Sequence, residues 1–372
     1  MGDRLYDNFT KSLRLLKLIH REEAEDYRDR HHFISLKSKE YFTYILNEYD
    51  KGNFNILSVD KNLRIYSILS QSPRILKNFL NIKFSIDIHN SHPLLFNKLI
   101  IERYNINKNI LHILYNNISI IDNSYYSVSK QLCKLLVNSG IKKEKIANIP
   151  NDILEYIYNT SKGIFWDDFT RLDEFKRLLR SHIKVTLFRE VFYSKALTTK
   201  GKDFAKVFKK KYPSVYKLVK ESKKSDRTYL ANEMMKIESS LFRNILTKLY
   251  AKRFRVLTIH DAIIVLDVKA NTQCVPELVQ SIIEKEYQYI GLFPNVSIDY
   301  YSTGNVKKEL QQEEQDMKEI NQLIDSFKVI AKDESHPRCQ TCRDILKKME
   351  DGTSEIYINH ATNEFVWNNI ST

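Results

Sequence analysis

Residues 255–267 read Arg-Val-Leu-Thr-Ile-His-Asp-Ala-Ile-Ile-Val-Leu-Asp, and the fold turns on how this stretch is read. Val256, Leu257 and Ile259 form one apolar arm; Ile263, Ile264, Val265 and Leu266 form another. β-branched side chains suit a pleated, buried surface, so the stretch is expected to run strand, tight turn, strand. His260-Asp261 falls at the tip. A carboxylate held between two apolar arms is well placed to hold a metal ion rigidly. A turn Asp that hydrogen-bonds its own backbone has the same local pattern, so the choice rests on the rest of the chain.

A second carboxylate occupies a similar place. Residues 84–88, Phe-Ser-Ile-Asp-Ile, form a strand candidate that ends around Asp87. His89-Asn90-Ser91-His92-Pro93 follows, then a helix expected over 94–104. Asp87 fits either a catalytic carboxylate at a strand end or a helix-start residue. Between the two carboxylates, residues 173–195 read as one long helix. On it Arg177, Arg180 and Lys184 share a face, and Leu178, Leu187, Phe188, Val191 and Phe192 supply apolar cover. Cations followed by aromatics suit a nucleoside triphosphate; a solvated basic face gives the same pattern. Beyond it, Lys202, Lys206, Lys209, Lys210, Lys211, Lys217, Lys220, Lys223 and Lys224 interleave with Phe204, Phe208, Tyr212 and Tyr216. Those cations suit a phosphate backbone, while aromatics every four residues also suit simple core packing.

Composition narrows the classes. The chain has 372 residues, enough for two or three domains, and a formal charge of +13. With a pI of about 9.2 this favours nucleic acid or an acidic membrane surface as partner. Abundant Asn, Ile, Lys and Tyr also match the coding bias of an AT-rich genome. No apolar run is long enough to span a bilayer, and the first residues show no signal-peptide core. Four Cys do not make a disulfide framework. The expected compartment is the cytoplasm of a bacterial or phage-infected cell, with no membrane partner.

The remaining segments are read more briefly. Residues 1–50 are expected to be helical, 54–58 a short strand, and 62–69 an extended segment carrying Arg64. A helix is expected over 74–79, with further helices over 127–137 and 150–158. Residues 226–253 form a long helix striped with Leu230, Met234, Ile237, Leu241 and Ile245, with Glu238 near the stripe. A helix over 275–289, a strand over 296–301, a charged helix over 306–333 and a polar tail over 334–372 complete the chain. In the tail, His336, Cys339, Cys342 and His360 offer a tetrahedral zinc set, and an ordinary solvated tail is the alternative.

In this order the motifs resemble the palm and fingers of family A DNA polymerases and the related single-subunit phage RNA polymerases. Ile86-Asp87-Ile88 looks like their first palm motif, and Ile259-His260-Asp261 like the second. Arg180, Lys184 and Phe188, at i, i+4 and i+8, look like the fingers helix motif. Leu63-Arg64-Ile65-Tyr66 resembles the Gly-Arg segment before the first Asp, with Leu63 in place of Gly. The resemblance spans residues 60–302. Three further departures stand beside Leu63. Phe192 stands where the fingers motif has Tyr, with Tyr193-Ser194 shifted by one; Ala262 replaces a Glu; and Ser91-His92 occupy the neighbourhood of the Glu that helps exclude ribose.

The resemblance implies an α+β, right-hand polymerase with an antiparallel palm sheet and helical fingers. Residues 1–60 would be an N-terminal, thumb-like helical region, 61–120 and 235–305 the two parts of the palm, 121–234 the fingers and basic segment, and 306–372 a charged helix and tail. Asp87 and Asp261, with the Ile88 carbonyl, would hold two Mg²⁺ ions. Arg180 and Lys184 would bind phosphates, with Lys184 as general acid. Phe188 would lie under the incoming base, with Phe192, Tyr193, Arg64 and His92 around the nucleotide and His260 at the primer end. The implied function is DNA synthesis on a primer–template from nucleoside triphosphates, without proofreading. An RNA polymerase or primase-like enzyme, with RNA as a further partner, and a catalytically degenerate basic nucleic-acid-binding protein are the alternatives.

Overall fold

The computed structural model describes residues 2–31, 33, 36–62, 64–116, 128–175, 178–195, 202–332, 334–335, 337–350, 354–359 and 364–369. The fold mixes helices and antiparallel sheets and is α+β. It divides into two compact units. The first comprises residues 1–18, 48–72 and 80–301; the second comprises 19–47, 73–79 and 302–372.

In the first unit, β1 (Ile56–Val59) and β2 (Ile65–Ser67) form an antiparallel pair. The central sheet contains β3 (Ile82–Ile88), β4 (Val256–Ile259), β5 (Ala262–Leu266) and β6 (Val296–Asp299) in the order β4-β5-β3-β6, antiparallel throughout. Phe84, Ile86, Val256, Leu257, Ile263, Ile264, Val265 and Leu266 are fully buried. That continuous apolar run is why β5 sits inside the sheet and not at its edge. Asn271 pins the base of the β4–β5 hairpin. Its amide accepts from Arg255 N–H and donates to the Arg255 and Leu266 carbonyls, each at 2.7 Å.

Helices supply the second core of this unit. The helices Ser91–Tyr104, Asn151–Lys162, Asp203–Lys211, Pro213–Ser222 and Tyr229–Ala251 contribute to one apolar cluster dense in aromatic rings. Phe208 and Tyr212 are fully buried there, so the aromatic repeat of the basic segment serves core packing.

Two expectations need correction. Residues 173–195 are not one helix: turns occupy 171–175, an α-helix runs Arg180–Leu187, and Phe188–Phe192 forms a π-helix. Here the Tyr193 N–H donates to the Phe188 carbonyl at 2.7 Å, an i to i+5 bond. The buried Lys223 ammonium donates to the Val191 and Ser194 carbonyls where this wide turn ends. The polar tail is also structured. Cys339–Glu350 is a helix, and β7 (Ser354–Asn359) pairs with β8 (Glu364–Asn369) as an antiparallel hairpin. The consecutive β-branched and aromatic residues Ile-Tyr-Ile and Phe-Val-Trp suit that pairing.

In the second unit the charged helix extends over Thr303–Lys332. Tyr27 donates to Glu309 at 2.9 Å, and Asn78 accepts from the Ser302 N–H at 3.1 Å. Among the described residues, no helix is long and apolar enough to cross a membrane.

Candidate active site

β3 carries Asp87 to the edge of the sheet, opposite Ala262 on β5 and Ser297 on β6. The Ile88 N–H donates to the Asp261 carbonyl at 3.2 Å, so the hairpin tip lies directly against the end of β3. His260, at the tip, is exposed and holds a left-handed φ of 49°, sparsely populated for a residue with a Cβ. Both carboxylates bear on Tyr287 of the helix Pro276–Tyr289: burial raises its pKa, and Asp261 and Asp87 raise it further. The side chains brought to this end of the sheet are two carboxylates. These hard oxygens suit Mg²⁺ rather than a thiophilic metal.

Beside the hairpin tip opens a cleft with about 610 Å³ of open space, lined among others by Arg64, His92, Lys184, Phe188, Tyr193 and Asp261. Each of these was singled out from sequence. Lys184 is exposed on the helix Arg180–Leu187. Phe188 stacks on Tyr193 with ring centroids 5.2 Å apart and planes 11° apart. The π-turn makes this possible. In an α-helix residue 192 would follow 188 on the same face, whereas an i to i+5 turn brings residue 193 there. Phe192 instead turns inward, fully buried against Phe96 and Phe208. Of the three aromatics expected at the nucleotide, the structure brings Phe188 and Tyr193 to the cleft and sends Phe192 to the core.

One wall of the cleft is a buried polar cluster. Glu238, 4% exposed, pairs with Arg64 and accepts from Ser91 Oγ at 3.1 Å. His92 Nε2 lies 3.1 Å from Arg64 and 3.3 Å from Glu238, and His92 Nδ1 hydrogen-bonds Tyr193 Oη. Burial, then the cations Arg64 and Lys184, push the His92 pKa down to about 3, so the ring is neutral at physiological pH. Burial raises the Tyr193 pKa, so its phenol keeps its proton.

Glu238 is the site residue that sequence reading undervalued. It falls four residues after Met234 and three before Leu241, on the buried stripe itself. An acid on such a stripe needs a cationic partner. Trp166 was missed altogether; it is 1% exposed, lines the cleft and lies 5.1 Å from Phe188.

Other expected residues lie elsewhere. Arg180 is exposed, pairs with Asp167 at 2.5 Å and acts electrostatically on His89, whose pKa burial and then Arg180 lower. Lys206 pairs with Asp203 at 2.8 Å and Lys210 with Glu174 at 3.2 Å. Lys211 is held inside, 2.8 Å from Asp168 and 3.2 Å from Glu155. Burial alone would lower its pKa, but these two acids outweigh it and raise it. Lys202 bonds Ser194, Lys220 lies over the Tyr216 ring, and Lys209 and Lys217 are exposed.

Leu63, Arg177, His336 and His360 lie outside the described residues. Cys339 and Cys342 are buried on the first turn of their helix, with Cys339 Sγ 3.3 Å from the Ala331 carbonyl. Among the described residues, three metal-capable donors converge at His31, Glu309 and Glu313, in the second unit. There His31 Nδ1 lies 2.6 Å from a Glu313 carboxylate oxygen. No model of a known protein family matches the chain, and no curated protein matches it in sequence.

Proposed function

We propose that the protein is a template-directed nucleotidyltransferase, a compact DNA polymerase of right-hand architecture that lacks proofreading and uses two Mg²⁺ ions. One observation carries the reading: Asp87 on β3 and Asp261 at the tip of the neighbouring β4–β5 hairpin lie beside a cleft lined by Lys184, Phe188, Tyr193, Arg64 and His92. Asp87, Asp261 and the Ile88 carbonyl would hold the metal ions. When bound, these activate a primer 3′-hydroxyl and steady the leaving pyrophosphate. Lys184 neutralises the phosphates and hands a proton to the departing pyrophosphate. Phe188 and Tyr193 supply a stacked platform for the base, and the exposed lysines of residues 202–224 engage the backbone of the primer–template. Ala262, in the place of a Glu, favours a second reading as an RNA polymerase or primer-making enzyme.

Primer extension with deoxy- and ribonucleotides, on DNA and RNA templates with Mg²⁺, tests the proposal. Asp87→Ala and Asp261→Ala are expected to abolish extension while circular dichroism stays unchanged. Near-normal extension by either variant removes the two-metal assignment.

A further inference from the structure

The second unit carries a donor set of its own. His31 Nδ1 and one carboxylate oxygen each from Glu309 and Glu313 all lie within 4.8 Å of one another. Glu309 and Glu313 are four residues apart on the helix Thr303–Lys332, so one turn stacks them on the same face. His31 closes the helix Arg21–Arg30, its N–H donating to the Tyr27 carbonyl at 2.8 Å. Packing sets its ring. The imidazole stacks on Tyr27, with centroids 4.7 Å and planes 16° apart, and meets Phe33 in a T-shaped contact at 4.6 Å. The Tyr27 hydroxyl in turn donates to Glu309 at 2.9 Å, the kind of supporting bond that orients a metal-ligating carboxylate.

Two further observations point to a cation. His31 Nδ1 is buried and has no hydrogen-bond partner among the described residues, although a Glu313 oxygen lies 2.6 Å away; the two atoms are close but not aligned as donor and acceptor. Among the described residues, no Lys or Arg pairs with Glu309 or Glu313, whereas the next acid, Glu314, takes Arg30 at 2.8 Å. Two carboxylates facing one imidazole carry net negative charge whether or not the ring is protonated. We propose that His31, Glu309 and Glu313 bind one Zn²⁺ ion, with water in the fourth position. An imidazole nitrogen and carboxylate oxygens at about 2.0–2.2 Å are usual zinc donors. Bonds of that length set tetrahedral donors roughly 3.3–3.6 Å apart. Binding therefore opens the 2.6 Å contact and draws the wider ones in, a movement within reach of two flexible Glu side chains. His31 and Glu313 are 22% and 28% exposed, which leaves the ion a way in and the water a place. The imidazole separates this site from one for Mg²⁺, which takes oxygen donors. The bound ion ties the end of the helix Arg21–Arg30 to the helix Thr303–Lys332.

The test is Zn²⁺ binding to the full chain, measured by competition with a chromophoric chelator in excess Mg²⁺, which fills sites made of oxygen alone. Wild type is expected to bind the ion, and His31→Asn and Glu309→Gln each to weaken it roughly 100-fold or more; Tyr27→Phe, which removes only the supporting bond, should cost roughly 10-fold. Glu309 is exposed and Gln matches it in shape, so Glu309→Gln keeps the test decisive where circular dichroism shows that His31→Asn has not folded. The tail thiols are separated by the double variant Cys339→Ser/Cys342→Ser, which is expected to keep this ion. In that variant Co²⁺ should give visible absorption bands of nitrogen and oxygen ligation, and adding His31→Asn should abolish them. Zn²⁺ is also expected to raise the thermal midpoint of wild type and not that of Glu309→Gln. Three results would each overturn the site: no Zn²⁺ bound at micromolar concentration, an affinity unchanged in both ligand variants, or binding that disappears with the two cysteines.

Discussion

Lys223→Met is expected to remove a pH dependence of stability that belongs to one buried ammonium. Lys223 is 2% exposed, and its Nζ donates to the Val191 and Ser194 carbonyls that end the π-helix. Burial, and then Lys202, push its pKa from 10.5 down to about 8. Each unit corresponds to about 1.4 kcal/mol, so the full shift costs about 3 kcal/mol. The sign follows from proton counts. Between the folded and unfolded pKa values the unfolded chain binds more protons, so raising the pH favours the fold. The cost is fully present below the folded value near 8 and is relieved as the pH climbs toward 10.5. From about pH 7.5 to 9.5 the relief integrates to about 2 kcal/mol. Urea unfolding of wild type and Lys223→Met at both pH values isolates it, because every other titrating group is common to the two proteins. The wild type should gain about 2 kcal/mol on the variant over that interval. Parallel pH profiles would refute the reasoning, since they would mean that the ammonium is solvated and does not close the π-turn behind Tyr193.

Gly163 holds φ +84°, and a Cβ there would sit 2.8 Å from Asn295 Nδ2 and 2.9 Å from His89 Nδ1. Gly163→Ala should therefore lose about 1–3 kcal/mol in urea unfolding; an unchanged midpoint would mean that the loop relaxes freely. Replacing the exposed Lys209 and Lys217 by Ser should reduce the salt dependence of nucleic-acid binding by about one unit of slope per contact. A slope identical to wild type would turn this face away from the nucleic acid. Lys211→Ser should act on stability instead, costing about 3 kcal/mol by stranding Asp168 and Glu155, read as a lowered thermal midpoint.

Local chemistry carried much of the fold into the sequence. The β-branched runs at 256–259 and 263–266 fix a hairpin because two-residue periodicity and a tight turn are properties of neighbouring residues. The positions of Asp87 and Asp261 were legible for the same reason: one lies near the end of an apolar strand and the other at the turn between two. The long helix Tyr229–Ala251 shows its stripe in the same way. Other features come from partners far along the chain. The turns at 171–175 and the π-turn at 188–192 were invisible, since helical spacing continues through both. What widens the turn is tertiary: Phe192 drawn into the aromatic core, and Lys223 closing the carbonyls of Val191 and Ser194. The one-residue offset of Tyr193 looked like a departure from the motif, and only the i to i+5 turn resolved it. The order in the tail came from pairing β7 with β8, which a polar composition hides. Lys211 and Lys209 are both cations in one run, yet one is spent on internal acids and the other faces solvent. Glu238 could be placed on a buried stripe from its spacing alone. That it reaches Arg64 and His92 is decided by packing, because periodicity specifies which face of a helix is buried and says nothing of what that face meets.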